Sequence, residues 1–144
     1  MYDDILVPTD GSPGTDRTLA NALEIATDQN ATVHALYVVD RRVYLAAADE
    51  GDDVKRTLTE EGEDAVASVA AAASDAGLDS VTEIRDGVPH KEILEYADEA
   101  GIDLIAMGTH GRTGRDRLTS LGSCTETVVE NATVPVLTVH IDAE

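Results

Sequence analysis

The chain has 144 residues, 42% of them apolar, with 10 basic against 29 acidic residues for a net charge of −19. That length suits one α/β domain over residues 1–144 around a single core, the apolar content excludes a disordered chain, and no run reaches the roughly 18 to 20 apolar residues of a membrane-spanning helix. The charge argues against nucleic acid or an anionic membrane as partner, and Cys124, the sole cysteine, excludes an internal disulfide or a thiolate metal cluster.

The first apolar run, Ile5-Leu6-Val7-Pro8, is closed by the turn formers Thr9-Asp10-Gly11-Ser12-Pro13 and reads as a buried strand entering a helix. Ser12 is placed to cap that helix with Pro13 in its first turn; Leu19, Ala20, Leu23 and Ala26 supply the inward stripe and Asn30 the stop. Thr32 to Val39 is β-branched and too uniformly apolar for a one-sided strand, hence a second buried strand. Asp40 to Asp53 reads as a long loop or short helical turn. Thr59 to Ala76 carries Val66, Val69, Ala70 and Ala73 at helical spacing, with Gly77 as C-cap.

A third strand follows from Ser80 to Arg85, closed by Asp86-Gly87. Gly87-Val88-Pro89 opens a helix whose Ile93, Leu94 and Ala97 face inward and which Gly101 stops. Asp103 to Gly108 is a fourth buried strand, Ser123 to Asn131 a short helix, and Val134 to Ile141 a fifth strand. Crossovers of a dozen or more residues favour parallel pairing. The predicted fold is therefore a doubly wound five-stranded parallel sheet in order 3-2-1-4-5, with helices on both faces. Strands one and four then meet at the switch point, where open α/β sheets bind ligands beyond their C-terminal strand ends.

The most informative stretch runs from Gly108 to Ser123, off the end of a buried strand and onto a helix start. Its glycines allow amide N–H groups to turn inward on an anion, and the helix N-terminus adds partial positive charge. Arg112, Arg115 and Arg117 against Asp116 give it a local charge of +2 inside a strongly acidic molecule. The competing reading is an exposed loop whose glycines only make turns. Neither G-x-x-x-x-G-K-[ST] nor a G-x-G-x-x-G after the first strand is present, which sets aside P-loop and dinucleotide-binding folds. His34, His90 and His140 lack metal-ligand spacing, His110 reads as solvated, and Cys124 as a small packing residue rather than an activated thiolate.

Pro8-Thr9-Asp10-Gly11-Ser12, Tyr37-Val38-Val39-Asp40, Gly87-Val88-Pro89, and Met107-Gly108-Thr109-His110-Gly111-Arg112-Thr113-Gly114 through Gly122-Ser123 together resemble the universal stress protein family along the whole chain. The resemblance implies the same five-stranded sheet and, from the family's nucleotide-binding branch, a G-x-x-G-x9-G-[ST] pattern whose backbone holds phosphates. It makes Gly108, Thr109, Gly111, Arg112, Gly122 and Ser123 the phosphate contacts beside Met107, with Cys124 adding a backbone amide. Pro8 and Thr9 would line the adenine slot and Val38 would pair its main chain with the base. Asp10 would meet the ribose or a phosphate-bound Mg²⁺, alongside its ordinary role as a turn residue bonding its own backbone. Ten residues separate Gly111 from Gly122 where the family pattern has nine.

The resulting expectation is a cytoplasmic ATP-binding or other adenine-nucleotide-binding regulatory protein, not an enzyme beyond slow hydrolysis, and a homodimer through its C-terminal edge strand. The alternative is a dimeric interaction module of the same fold that binds no nucleotide. A receiver domain is set aside, because it needs an acid pair after the first strand and a lysine after a later one.

Lysine is confined to Lys55 and Lys91, Phe and Trp are absent, and the acids are scattered along the chain. This composition reads as a salt-adapted, haloarchaeal-type surface. At about 1 M salt the Debye length is about 3 Å, which screens repulsion among such acids. The melting temperature is therefore expected to rise from dilute buffer to molar potassium chloride; a melt independent of salt would overturn the salt-adapted reading.

Overall fold

The computed structural model describes residues 2–11, 14–108 and 123–139. Five strands, β1 (Asp4–Pro8), β2 (Thr32–Asp40), β3 (Ser80–Gly87), β4 (Leu104–Gly108) and β5 (Val136–Val139), form one sheet in the order β3-β2-β1-β4-β5. All four neighbouring pairs are parallel. Strand number, direction and order are those expected from the spacing of the apolar runs.

Alternation along the strands divides the core in two. Ile5, Val7, Ala35 and Ala106 point to the face covered by α1 (Gly14–Gln29) and α3 (Gly51–Asp75). Leu6, Leu36, Ile105 and Met107 point to the face covered by α4 (Pro89–Glu99) and α5 (Ser123–Asn131). Ile5, Leu6 and Ile105 are wholly shielded from solvent, each burial contributing about 1.5–3 kcal/mol. Central strands buried on both faces have no polar side to show, hence their unbroken aliphatic runs.

Three helices end in the same way. Asn30, Gly77 and Gly101 adopt φ of 55°, 78° and 67°, and the next N–H donates back into the helix: Ala31 to Ala26 C=O, Leu78 to Ala73 C=O and Ile102 to Ala97 C=O, each at 2.9 Å. These are Schellman closures, in which a left-handed residue satisfies the last carbonyls and turns the chain sharply. Each delivers the polypeptide into the strand that follows within a few residues.

The structure corrects several local expectations. Between Asp40 and Asp53 the chain forms α2 (Arg41–Leu45) and a 3-10 turn at Ala48–Glu50, and α3 begins at Gly51 rather than Thr59. The early turns of α3 carry no buried apolar residue, so hydrophobic spacing could not reveal them; Asp52 and Asp53 sit in the first turn, where carboxylates favour a helix N-terminus. On α1, Ala20 is exposed and Ala22 buried, because the stripe through Leu19 and Ala26 passes through position 22. On α4, Leu94 and Ala97 are only half-buried and Tyr96 is the second buried anchor beside Ile93. β3 extends through Asp86 and Gly87, which pair with Val39 and Asp40.

The contact of α3 with the sheet depends on Gly62. A β-carbon there would stand 2.8 Å from Cγ and 2.9 Å from Cε1 of Tyr37, a ring only 3% exposed. Gly62→Ala is expected to destabilise the fold by about 1–3 kcal/mol through overpacking, despite alanine's better helix propensity. Chemical denaturation tests this, and an unchanged or higher midpoint would contradict the close approach.

Candidate functional site

The site arises where β1 loses its partners. Its ladder with β2 runs from Asp4↔Thr32 to Pro8↔Leu36, and closes as Thr9 N–H donates to Leu36 C=O at 2.8 Å. β2 continues to Asp40. In a parallel strand the N–H and C=O of one residue point to the same side and alternate along the chain. Since Leu36 faces β1, Val38 carries its main-chain donor and acceptor toward the same side, past the end of the β1 ladder.

On its other side β1 separates earlier. Its pairing with β4 comprises Ile5↔Leu104 and Leu6↔Ile105, whereas β4 stays paired with β5 through Gly108↔Val139. A cleft therefore opens between β2 and β4 at the C-terminal end of β1, where the strand order reverses.

Sequence-predicted residues converge there. Pro8, Thr9 and Asp10 end β1, with Pro8 and Asp10 half-buried and Thr9 buried. Gly11, at φ +79°, turns the chain, and its N–H donates to Thr9 Oγ1 at 3.1 Å. Thr9 Oγ1 also donates to Thr15 Oγ1 at 3.3 Å. Met107 belongs to one apolar cluster with Leu36 and Val128, against which Val38 and Cys124 pack. Gly108 ends β4 and Ser123 begins α5. Thr109, Gly111, Arg112 and Gly122 lie outside the described residues.

Three contributors escaped the sequence reading. Thr125, buried in the first turn of α5, donates its hydroxyl to Gly108 C=O at 2.8 Å and fastens that helix to the end of β4. Asp40 caps α2 by accepting from Arg42 N–H at 3.0 Å. Arg42 returns its guanidinium to the same carboxylate, Nε to Oδ1 at 3.0 Å and Nη2 to Oδ2 at 2.9 Å. The signals were present as Asp-Arg-Arg after the second strand and Thr two residues beyond Gly-Ser, but neither matches a motif by itself.

The same end of the sheet holds a second carboxylate with cationic partners. Asp86 accepts from Tyr44 Oη at 2.8 and 2.9 Å and lies 3.2 Å from Lys55 Nζ and 3.7 Å from Arg41 Nε. Burial pushes its pKa up, but the Tyr44 and Lys55 hydrogen bonds and the charges of Lys55 and Arg41 outweigh that and hold it below its ordinary value. At the opposite end, His34 bridges Asp4 Oδ1 at 2.9 Å and Tyr96 Oη at 2.7 Å, with the Arg85 guanidinium 5.1 Å above the Tyr96 ring. His34 is a structural residue whose ring nitrogens both have partners. Among the described residues no group of three His, Cys, Asp or Glu is placed to hold a metal ion, and no helix is long and apolar enough to cross a membrane.

The universal stress protein family model matches residues 1–140. The chain belongs to this family. Universal stress protein MJ0531 of Methanocaldococcus jannaschii is 40% identical over 141 residues, covering 96% of this chain and 82% of its own. The same organism's MJ0577 is 32% identical over 155 residues, covering 96% and 95%. A solved MJ0577 structure superposes with a TM-score of 0.88 at 33% identity, over 100% of this chain and 99% of that one. A universal stress protein solved in complex with cAMP gives a TM-score of 0.75 at 27% identity, over 98% and 99% of the two chains.

Within this family fold, the sequence places Cys124 at the start of α5, where a helix N-terminus would favour a thiolate. Burial opposes that and dominates: with Asp10 and Asp40 adding to it and Arg42 counteracting, the thiol pKa is pushed up to about 11. Because the folded value is raised, the contribution to stability is intact below the ordinary thiol pKa of about 8.5 and is lost as pH rises toward about 11. At pH 8 the thiolate fraction falls on the order of 100-fold below that of a free cysteine. Iodoacetamide labelling of the native protein should be slower by about that factor and still climbing at pH 10; a plateau near pH 8.5 would show that burial does not control this thiol.

Proposed function

We propose that the chain binds an adenine nucleotide in the cleft beyond β1 and serves as a regulatory protein rather than a catalyst. The observation that carries this reading is the main-chain edge of β2 at Val38, which no described strand pairs beyond Leu36, beside an apolar wall of Met107 and Cys124. A purine needs that combination: flat apolar surface for its ring, and one donor and one acceptor for its edge. Pro8 and Thr9 form the adjoining floor, and Asp10 stands where a ribose hydroxyl would lie. The start of α5, fastened by Thr125, supplies partial positive charge for phosphate, together with the Gly108 to Ser123 segment with its arginines. A relative solved with cAMP supports the adenine class.

A Mg²⁺ ion would be held chiefly by the phosphates, with Asp10 as the protein carboxylate at hand; magnesium is commonly bound in this way. The cytoplasm is the compartment proposed, and a homodimer through β5 the assembly. A second reading, a family module working through dimerisation without nucleotide, is favoured by the ten-residue interval between Gly111 and Gly122.

Protein purified in molar salt and then denatured is expected to release adenine nucleotide, or to bind added ATP with a rise in melting temperature. Saturation at 100 times Kd corresponds to about 2.7 kcal/mol of stabilisation. Gly111→Val should weaken binding at least about tenfold, because a β-branched side chain denies the close backbone approach a phosphate requires. A parent protein with neither bound nor titratable nucleotide would overturn this reading in favour of the second.

A further inference from the structure

The edge of β2 that runs past β1 ends in a carboxylate. Asp40 lies two residues beyond Val38, so its backbone faces the same side of the strand, and its side chain is 24% exposed. A bare carboxylate here would oppose entry of a polyanion. It is not bare: Arg42 supplies three hydrogen bonds to it, one from the main chain and two from the guanidinium, at 2.9–3.0 Å. The neighbouring Arg41 does not share this task, because its guanidinium turns to Asp86 instead. The fields of Asp40 and Arg42 both reach the Cys124 thiol at the start of α5, with opposite signs.

We infer that Arg42 is a specificity-determining residue that admits charged nucleotides to the cleft by neutralising Asp40 at its rim. This rests on the nucleotide reading above and extends it to the charge of the ligand. Arg42 is 66% exposed, and an ion pair at such a site contributes little to folding. Its effect on a ligand with several negative charges is larger, because removing it leaves Asp40, whose side chain is 24% exposed, uncompensated at the rim of the cleft. A bidentate guanidinium also fixes the carboxylate in place, which an ammonium at the same position would not do.

The test compares the parent, Arg42→Ala, Arg41→Ala and the double variant Asp40→Asn/Arg42→Ala, each titrated with ATP, AMP and adenosine at one salt concentration. Arg42→Ala is expected to weaken ATP about tenfold, AMP less, and adenosine by less than about twofold, since repulsion scales with ligand charge. Arg41→Ala, an equal change in net charge on the adjacent residue, should leave all three within about twofold. The double variant should recover ATP binding to within about threefold of the parent, because the asparagine that replaces Asp40 carries no charge. Unchanged ATP binding in Arg42→Ala, equal losses for ATP and adenosine, or no recovery in the double variant would each overturn the inference. A parent that binds none of the three ligands overturns the nucleotide reading and this inference with it; a parent that binds ATP beside an unaffected Arg42→Ala overturns the inference alone.

Discussion

β1 is buried on both faces and paired on both sides, yet its two ladders end at different heights, at Leu6 toward β4 and at Pro8 toward β2. The reversal of strand order at β1 sends one crossover to each face, which leaves a crevice beyond the C-terminal end of that strand. Backbone donors and acceptors in a sheet are ordinarily consumed by neighbouring strands. A strand that outruns its neighbour leaves some of them for something else. The cleft, its apolar wall and its polar edge all follow from five residues of β1 being shorter than nine of β2.

Much of this was legible in the residues themselves. Unbroken aliphatic runs such as Ile5-Leu6-Val7 report strands covered twice, and the intervals between them leave room only for crossovers. Asn30, Gly77 and Gly101 were readable as helix stops because a left-handed residue is needed there. What stayed hidden is equally specific. The first turns of α3 carry only half-buried apolar side chains such as Leu58, and Tyr96, though at helical spacing from Ile93, carries a hydroxyl whose partner His34 only the fold supplies. Gly108, Ser123 and Cys124 were singled out by resemblance to a family pattern, although the interval from Gly111 to Gly122 holds ten residues where that pattern has nine. Thr125 and Arg42 were not, because each acts by reaching back to a residue whose position only the fold determines.

Among the described residues, four cations cluster on carboxylates at or near strand ends. Arg41 and Lys55 serve Asp86, Arg42 serves Asp40, and Arg85 joins Glu83, Glu92 and Glu99 around the Tyr96 ring. In a chain so acidic, each half-buried carboxylate at a strand end that lacked such a partner would face both desolvation and its neighbours' repulsion. Cationic pairing at the ends of β2 and β3 lets those strands carry acids where the sheet meets solvent.

The three Schellman closures have a further consequence. A helix that passes its chain to the next strand through one left-handed residue has no slack, so the connections at that rim are nearly as short as geometry permits. Inserting even one residue there would displace either the helix or the strand register. At the opposite rim β2 runs directly into α2 and β3 enters α4 through Val88 alone, whereas five residues separate β1 from α1. Grafted loops or length libraries would therefore belong in the turn after β1, with the far end of the sheet acting as a fixed mount.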